Sequence, residues 1–328
     1  MLKFFRSIYP VNLLGIVLLG LLLALPWWWK CAADFTPFKS LFIQIFNNAY
    51  SHLPMWLNWF LAAALQIGTA LYLNHVSNKH EILYKQSYLP AFFYLVISGF
   101  SNSVLGPQPL LVANFLLIAV FNKMMSAFKE QDATAQLFDG GLLIGLVVLL
   151  YAPLMSAVVF YIGAIIIIRS FKWKEMLIAT TAIGIPIFLT GVGYYCMDSF
   201  PTFLSYFTSM EINKKLFYNF EVTKAIQLYG LLMAIITLAA AIKMRLNYYK
   251  NAIKTRLCQQ LLTLYIITMA GSLLLVDTIN WFQWLVMATP VSLFWAYYFL
   301  SGHKRLWIKE LLVLMLLVFT IYLKITTY

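Results

Sequence analysis

Apolar residues along this chain come in blocks of roughly 15–24, separated by short polar stretches. Each block is about as long as a helix must be to cross a hydrocarbon core. Helix is the expected form, because in lipid every backbone N–H and C=O must find its partner within the segment. Eleven such blocks lie at about 11–29, 54–74, 88–105, 109–122, 137–151, 153–168, 175–196, 225–242, 258–276, 280–299 and 310–324. The fifth and sixth are short and meet at Tyr151–Ala152–Pro153, so they read either as two crossings or as one broken, re-entrant element. Two crossings are adopted, because a single one would reverse every later loop.

Composition agrees with this pattern and excludes the soluble classes. Of 328 residues 62% are hydrophobic and 10% charged, where a soluble domain carries about 25% charged residues. The predicted fold is all-α, a polytopic transmembrane bundle of about eleven spans forming one integral membrane domain over residues 1–328. A net charge of +12 raises the question of a nucleic-acid partner, but such a surface needs Lys and Arg gathered on one folded face. Here they fall in small groups between blocks, which is the positive-inside pattern. With the N-terminus in the cytoplasm, 17 of the 23 basic residues lie inside, and only Lys30, Lys39, Lys214, Lys215, Lys224 and Lys324 fall outside. The bias holds to the last loop. The expectation is therefore a multi-pass membrane protein with the C-terminus outside, a basic cytoplasmic loop at 243–257 and no nucleic-acid partner.

The first block reads as a retained anchor. It exits through Trp27–Trp28–Trp29 and lacks a small-x-small cleavage site. Two outer loops, 31–53 and 197–224, carry aromatic residues at helical spacing: Phe38, Leu41, Phe42, Ile45 and Phe46 in one, Phe203, Tyr206, Phe207 and Met210 in the other. Both predict amphipathic helices lying in the interface. They serve either as surface anchors or as a roof over a cavity for a lipid-linked substrate, whose diphosphate the lysines Lys30, Lys39, Lys214 and Lys215 would suit as point charges. Cys31 and Cys196 fall at outer helix ends, as a disulfide pair or as two unrelated small residues.

Ionisable residues at membrane depth are costly and mark candidate sites. Asp139, in Phe138–Asp139–Gly140–Gly141, is either a ligand or proton site or the N-cap of the fifth block. Four histidines, His52, His75, His80 and His303, have no metal-ligand spacing. No phosphate loop, nucleophile elbow or zinc-protease string is present, so no metal is expected and the sequence names no cofactor. Thr190–Gly191–Val192–Gly193–Tyr194 echoes a potassium filter but sits within one continuous long block.

Several strings carry a resemblance: Leu73–Asn74, Tyr88–Leu89–Pro90–Ala91, Asn114, Phe138–Asp139–Gly140–Gly141 through Leu146, Leu150–Tyr151–Ala152–Pro153, Arg169–Ser170–Phe171–Lys172–Trp173–Lys174–Glu175 and Gly184–Ile185–Pro186. Over about 70–190 the chain resembles an uncharacterised family of multi-pass inner-membrane proteins from Bacteroidota, at times labelled carotene monooxygenase. Iron-dependent carotenoid cleavage needs four converging histidines, which this spread does not supply. The chain is also similar to the core of the C-type membrane glycosyltransferases (GT-C), through its first span, the 31–53 loop and the run from Gly145 to Pro153. That resemblance implies an acid in the first outer loop as general base, which here is Asp34, and it departs in having no acidic pair and no basic residue at the later turn.

Three readings follow. The first is an inner-membrane protein of envelope biogenesis that transfers a sugar from a polyprenyl-phosphate donor, with Asp34 as base and Lys30, Lys39, Lys214 or Lys215 on the phosphate. The second is a non-enzymatic scaffold with a protein partner in an envelope or secretion complex. The third is a lipid or small-molecule transporter using Asp139. Membrane lipid is a partner in all three.

Overall fold

The structure is a computed structural model that describes residues 2–7, 9–24, 41, 52–101, 109–128, 130, 132–169, 172–208, 224–273, 275, 284–300 and 306–326. Among these residues every regular element is helical. A short α1 (Leu2–Phe5) leads into α2 (Pro10–Ala24), α3 (Met55–Lys79), α4 (Leu89–Ser101), α5 (Pro109–Ala127) and α6 (Thr134–Leu150). A 3-10 turn, Ala152–Met155, precedes α7 (Ser156–Arg169) and α8 (Trp173–Cys196). Then come α9 (Phe200–Thr208), α10 (Lys224–Leu246), α11 (Ile253–Leu273), α12 (Trp284–Leu300) and α13 (Leu306–Thr326). Each apolar block falls on a helix, and α9 supplies a described part of the second amphipathic loop. The 31–53 loop lies outside the described residues except for Leu41, His52 and Leu53.

Five described stretches are long and apolar enough to cross a membrane alone: Trp56–Lys79, Pro109–Ala127, Ala152–Arg169, Trp173–Cys196 and Leu228–Leu246. Pro10–Ala24, Leu89–Gly99, Thr134–Leu150 and Leu285–Leu300 are apolar but shorter. The outer helices show what medium surrounds them. On α10, Leu228, Leu231, Ile235, Leu238 and Ile242 are exposed at three- and four-residue spacing, one continuous apolar stripe. On α13, Leu311, Leu314, Met315 and Val318 are likewise exposed. Water does not tolerate such stripes, whereas lipid tails do. The chain is a helical membrane bundle.

Inside it, α4 is apolar all round and buried all round: Leu89 and every residue from Ala91 to Ile97 are closed off from the surface. It is enclosed by α2, α3, α12 and α13. Phe93 meets Trp295 edge-to-face at 5.7 Å and Phe299 at 4.9 Å, both on α12.

The junction at Tyr151–Ala152–Pro153 is a reversal. The Tyr161 hydroxyl on α7 donates to the Leu137 carbonyl on α6, and the Tyr161 ring lies 3.0 Å from where a Cβ on Gly140 would stand. A continuous helix would separate residues 137 and 161 by about 36 Å, so α6 and α7 are the legs of a hairpin.

Helix ends differ from the block edges where polar residues find partners. α3 runs five residues past the expected 74, to Lys79, with Asn74 and Ser77 buried. Past its end the His80 N–H donates to the Val76 carbonyl and the Ile82 N–H to Ser77, with Glu81 between them at φ 54°. Asp198 ends α8 in the same way, at φ 51°, and turns the chain into α9. This left-handed cap is usually glycine, and Asp is among the residues that tolerate it. The filter-like Thr190–Tyr194 string is uninterrupted helix, with Thr190 Oγ1 donating to the Pro186 carbonyl.

Candidate functional site

One end of the bundle gathers basic residues from helix termini far apart in sequence. The Tyr88 N–H donates to the Phe5 carbonyl and an Arg6 Nη2 to the Phe299 carbonyl at 2.5 Å, joining the starts of α2 and α4 to the end of α12. His80 Nε2 lies 2.7 Å from Asn122 Oδ1, joining the ends of α3 and α5. Lys243 and Lys309 both lie over the Tyr298 ring, 5.0 and 5.3 Å from its centre. Just before the eleventh apolar block, burial first and then the charges of Lys243 and Arg6 push the Lys309 ammonium down to about 8. The helix ends that meet here are those whose loops carry the excess of Lys and Arg.

Asp139 belongs to this end. It is not the N-cap of α6: the helix begins at Thr134, with Ala133 at the cap position and no side-chain cap bond. Asp139 sits one turn further in and pairs with Lys123 of α5 at 2.7 Å, both side chains substantially exposed. Such a pair is worth about 0–1 kcal/mol. Nearby, Arg169 at the end of α7 holds Glu175 in the first turn of α8 through two bonds, Nε to Oε2 at 3.2 Å and Nη2 to Oε1 at 2.8 Å. Its Nη1 also donates to the Ala127 and Glu130 carbonyls, so one guanidinium closes the ends of α5, α7 and α8. The two side chains are only 9% and 8% exposed.

A polar network lies at the centre, built around Asn114, to which the sequence assigned no role. Asn114 of α5 is fully buried; its Nδ2 donates to the Tyr94 hydroxyl at 2.7 Å and to the Leu285 carbonyl at 3.2 Å, and its Oδ1 accepts from Thr289 Oγ1 at 2.8 Å. Thr69 Oγ1 reaches the same Tyr94 hydroxyl at 3.2 Å, and Gln66 Nε2 donates to Ser98 Oγ at 2.7 Å. These bonds tie α3, α4, α5 and α12 in one register. The signal was present as Gln66 and Asn114 within otherwise apolar blocks. Replacing Asn114 with Leu should lower stability by about 2 kcal/mol, since single interhelical bonds in membranes reach at most about 1.7 and three are lost here. The unfolding midpoint of the purified variant in detergent measures this, and an unchanged midpoint would show the network to be dispensable.

At the opposite end the structure describes α9 and the end of α8. Tyr206 of α9 donates its hydroxyl to the Val148 and Leu149 carbonyls, at 2.9 and 3.0 Å, which the break at Tyr151 deprives of helical partners. The Tyr194 hydroxyl donates to the Leu41 carbonyl at 3.1 Å. Thus α9 closes over the α6–α7 reversal, and Leu41 is tied to the end of α8. Asp34, Lys30, Lys39, Lys214 and Lys215 lie outside the described residues. Asp139 lies about 14 Å down α6 from this end. Cys196 is exposed and Cys258 buried, both as free thiols, and Cys31 lies outside the described residues. No group of three or more His, Cys, Asp or Glu positioned to hold a metal occurs among the described residues. No family model matches the chain, and neither a curated protein nor a solved structure matches it.

Proposed function

We propose that this chain is an eleven-span inner-membrane protein of cell-envelope biogenesis that handles a polyprenyl-phosphate-linked sugar at its outer face, as a GT-C-like glycosyltransferase. The basic end faces the cytoplasm and the C-terminus lies outside. The positive-inside bias of the loops and their meeting at one end of the bundle support that orientation.

The observation that carries the functional reading is the pair of tyrosine bonds at the other end. Tyr206 ties α9 to a broken helix pair and Tyr194 ties Leu41 to the end of α8, which supports a roof that admits a lipid tail from the side and keeps a headgroup at the interface. Asp34 would take the proton of the acceptor hydroxyl as it attacks the sugar's anomeric carbon, and the polyprenyl phosphate would leave with its charge held by Lys30, Lys39, Lys214 or Lys215. Asp139, at the basic end, has no part in this step.

General-base catalysis contributes about 10²–10⁴-fold. Asp34→Asn expressed at normal level in a strain lacking the wild-type chain should therefore leave polyprenyl-linked sugars accumulating in the lipid extract, as deletion does. A lipid extract identical to that of the wild type, with full complementation, would remove Asp34 from catalysis.

A further inference from the structure

Near the basic end, α10, α11 and α12 leave a cavity of about 50 Å³, lined by the buried Met244, Gln259 and Phe294 and by the more exposed Arg245 and Tyr248. Gln259 is 4% exposed, and neither its Nε2 nor its Oε1 has a hydrogen-bond partner among the described residues. An amide buried with both ends unmet is costly, so the cavity is built for something that meets it. The rim is pre-arranged. Gln260 Nε2 donates to the Tyr248 hydroxyl at 2.7 Å, and the Arg245 guanidinium lies over the Tyr248 ring, 5.1 Å from its centre.

We propose that this cavity takes the headgroup of a glycerol-bearing anionic phospholipid, with a headgroup hydroxyl inside against Gln259 and the phosphodiester at the rim against Arg245. Only a group that both donates and accepts satisfies the two ends of one amide. A phosphate oxygen answers the Nε2 alone, and an ammonium answers the Oε1 alone. A hydroxyl on a short carbon chain answers both, and Met244 and Phe294 cover its methylenes. Arg245 supplies the charge and geometry that a phosphodiester wants. The exposed stripe Leu231, Ile235, Leu238 and Ile242 ends one turn before Arg245 and gives the acyl chains an apolar track into the same leaflet. This site lies at the opposite end of the bundle from the proposed sugar-handling roof and does not depend on it.

The test is native mass spectrometry of the full chain in detergent, titrated separately with dioleoylphosphatidylglycerol, dioleoylphosphatidic acid and dioleoylphosphatidylethanolamine. The glycerol lipid should bind about tenfold more tightly than either of the others, the worth of one to two extra hydrogen bonds. Gln259→Leu, which removes the unmet amide and so should fold, is expected to erase the preference over phosphatidic acid. Arg245→Gln, at an exposed position, should erase the preference over phosphatidylethanolamine. Equal affinity for the glycerol lipid and phosphatidic acid in the unaltered chain would overturn the proposal. So would a Gln259→Leu variant that keeps the preference, which would leave the cavity to water. Should that variant fail to fold, an Arg245→Gln variant with its preference over phosphatidylethanolamine intact overturns it equally.

Discussion

Arg169→Met should cost about 3–5 kcal/mol of stability, the range for stripping one partner from a buried ion pair. Among the described residues the buried Glu175 carboxyl would then have only Lys172, 3.8 Å away and largely exposed, as a basic partner. The pair is also favourably placed on its own helices, because Arg169 stands in the last turn of α7 and Glu175 in the first turn of α8, where each complements the helix dipole. The double variant Arg169→Met/Glu175→Gln should recover part of the loss, since no unpaired charge remains. It should not recover all of it, because the Ala127 and Glu130 carbonyls lose their donor in both variants. Unfolding midpoints of the two single variants and the double variant in one detergent give the coupling directly. A single-variant loss under about 1 kcal/mol would show that the pair is screened like a surface bridge.

That pair also shows where sequence reading stops. Arg169 and Glu175 both stand in a string that carries the family resemblance, but they meet across a turn at a separation of six, which is neither of the helical spacings that announce an ion pair. Asp139 was legible as a costly carboxylate within an apolar block. What the block could not show is that Lys123 returns to it from the preceding helix. The helices themselves were legible because lipid leaves the backbone no alternative, and so each block found its helix. Their ends were less so. The last turn of α3 is polar enough to read as loop, and it stays helical because Asn74 and Ser77 are taken into the bundle and Asn122 meets His80 beside it.

The centre and α9 divide along the same line. Gln66 and Asn114 were visible as polar residues inside apolar blocks, but their partners Ser98, Tyr94 and Thr289 are ordinary helix residues until four helices bring them together. Tyr206 was legible as one of several aromatic residues on an amphipathic segment. Its hydroxyl became specific only because the Tyr151–Ala152–Pro153 break leaves carbonyls exposed beneath it. Gln259 carried no signal at all, since a glutamine near the start of a span reads as an interface residue until three helices close over it.

Gly145→Leu should prevent α6 and α8 from closing and leave little folded protein. These two helices run against each other with no side chain from α6 between them at two points one turn apart. A Cβ on Gly141 would stand 2.6 Å from the Ala182 Cβ and 2.8 Å from the Ala179 carbonyl oxygen. A Cβ on Gly145 would stand 2.6 Å from the Ile183 carbonyl oxygen and 3.0 Å from the Pro186 ring. Ala179 and Ala182 complete the small-residue seam, which is how membrane helices gain van der Waals contact where lipid supplies no hydrophobic drive. The contacts at Gly145 are a backbone oxygen and a proline ring, neither of which can swing aside like the end of a flexible side chain. Even Gly145→Ala should therefore cost about 1–3 kcal/mol, the usual range for overpacking, and Leu adds a branched group in the same space. A matched control is Gly184→Ala on α8, where a Cβ meets nothing within 4 Å. Removing a glycine from a helix there should be neutral or stabilising by up to about 1 kcal/mol. Size-exclusion recovery and unfolding midpoints of the three variants separate the effect of the seam from that of losing a glycine. A Gly145→Ala variant as stable as Gly184→Ala would mean that α6 and α8 stand further apart in the membrane than this packing requires.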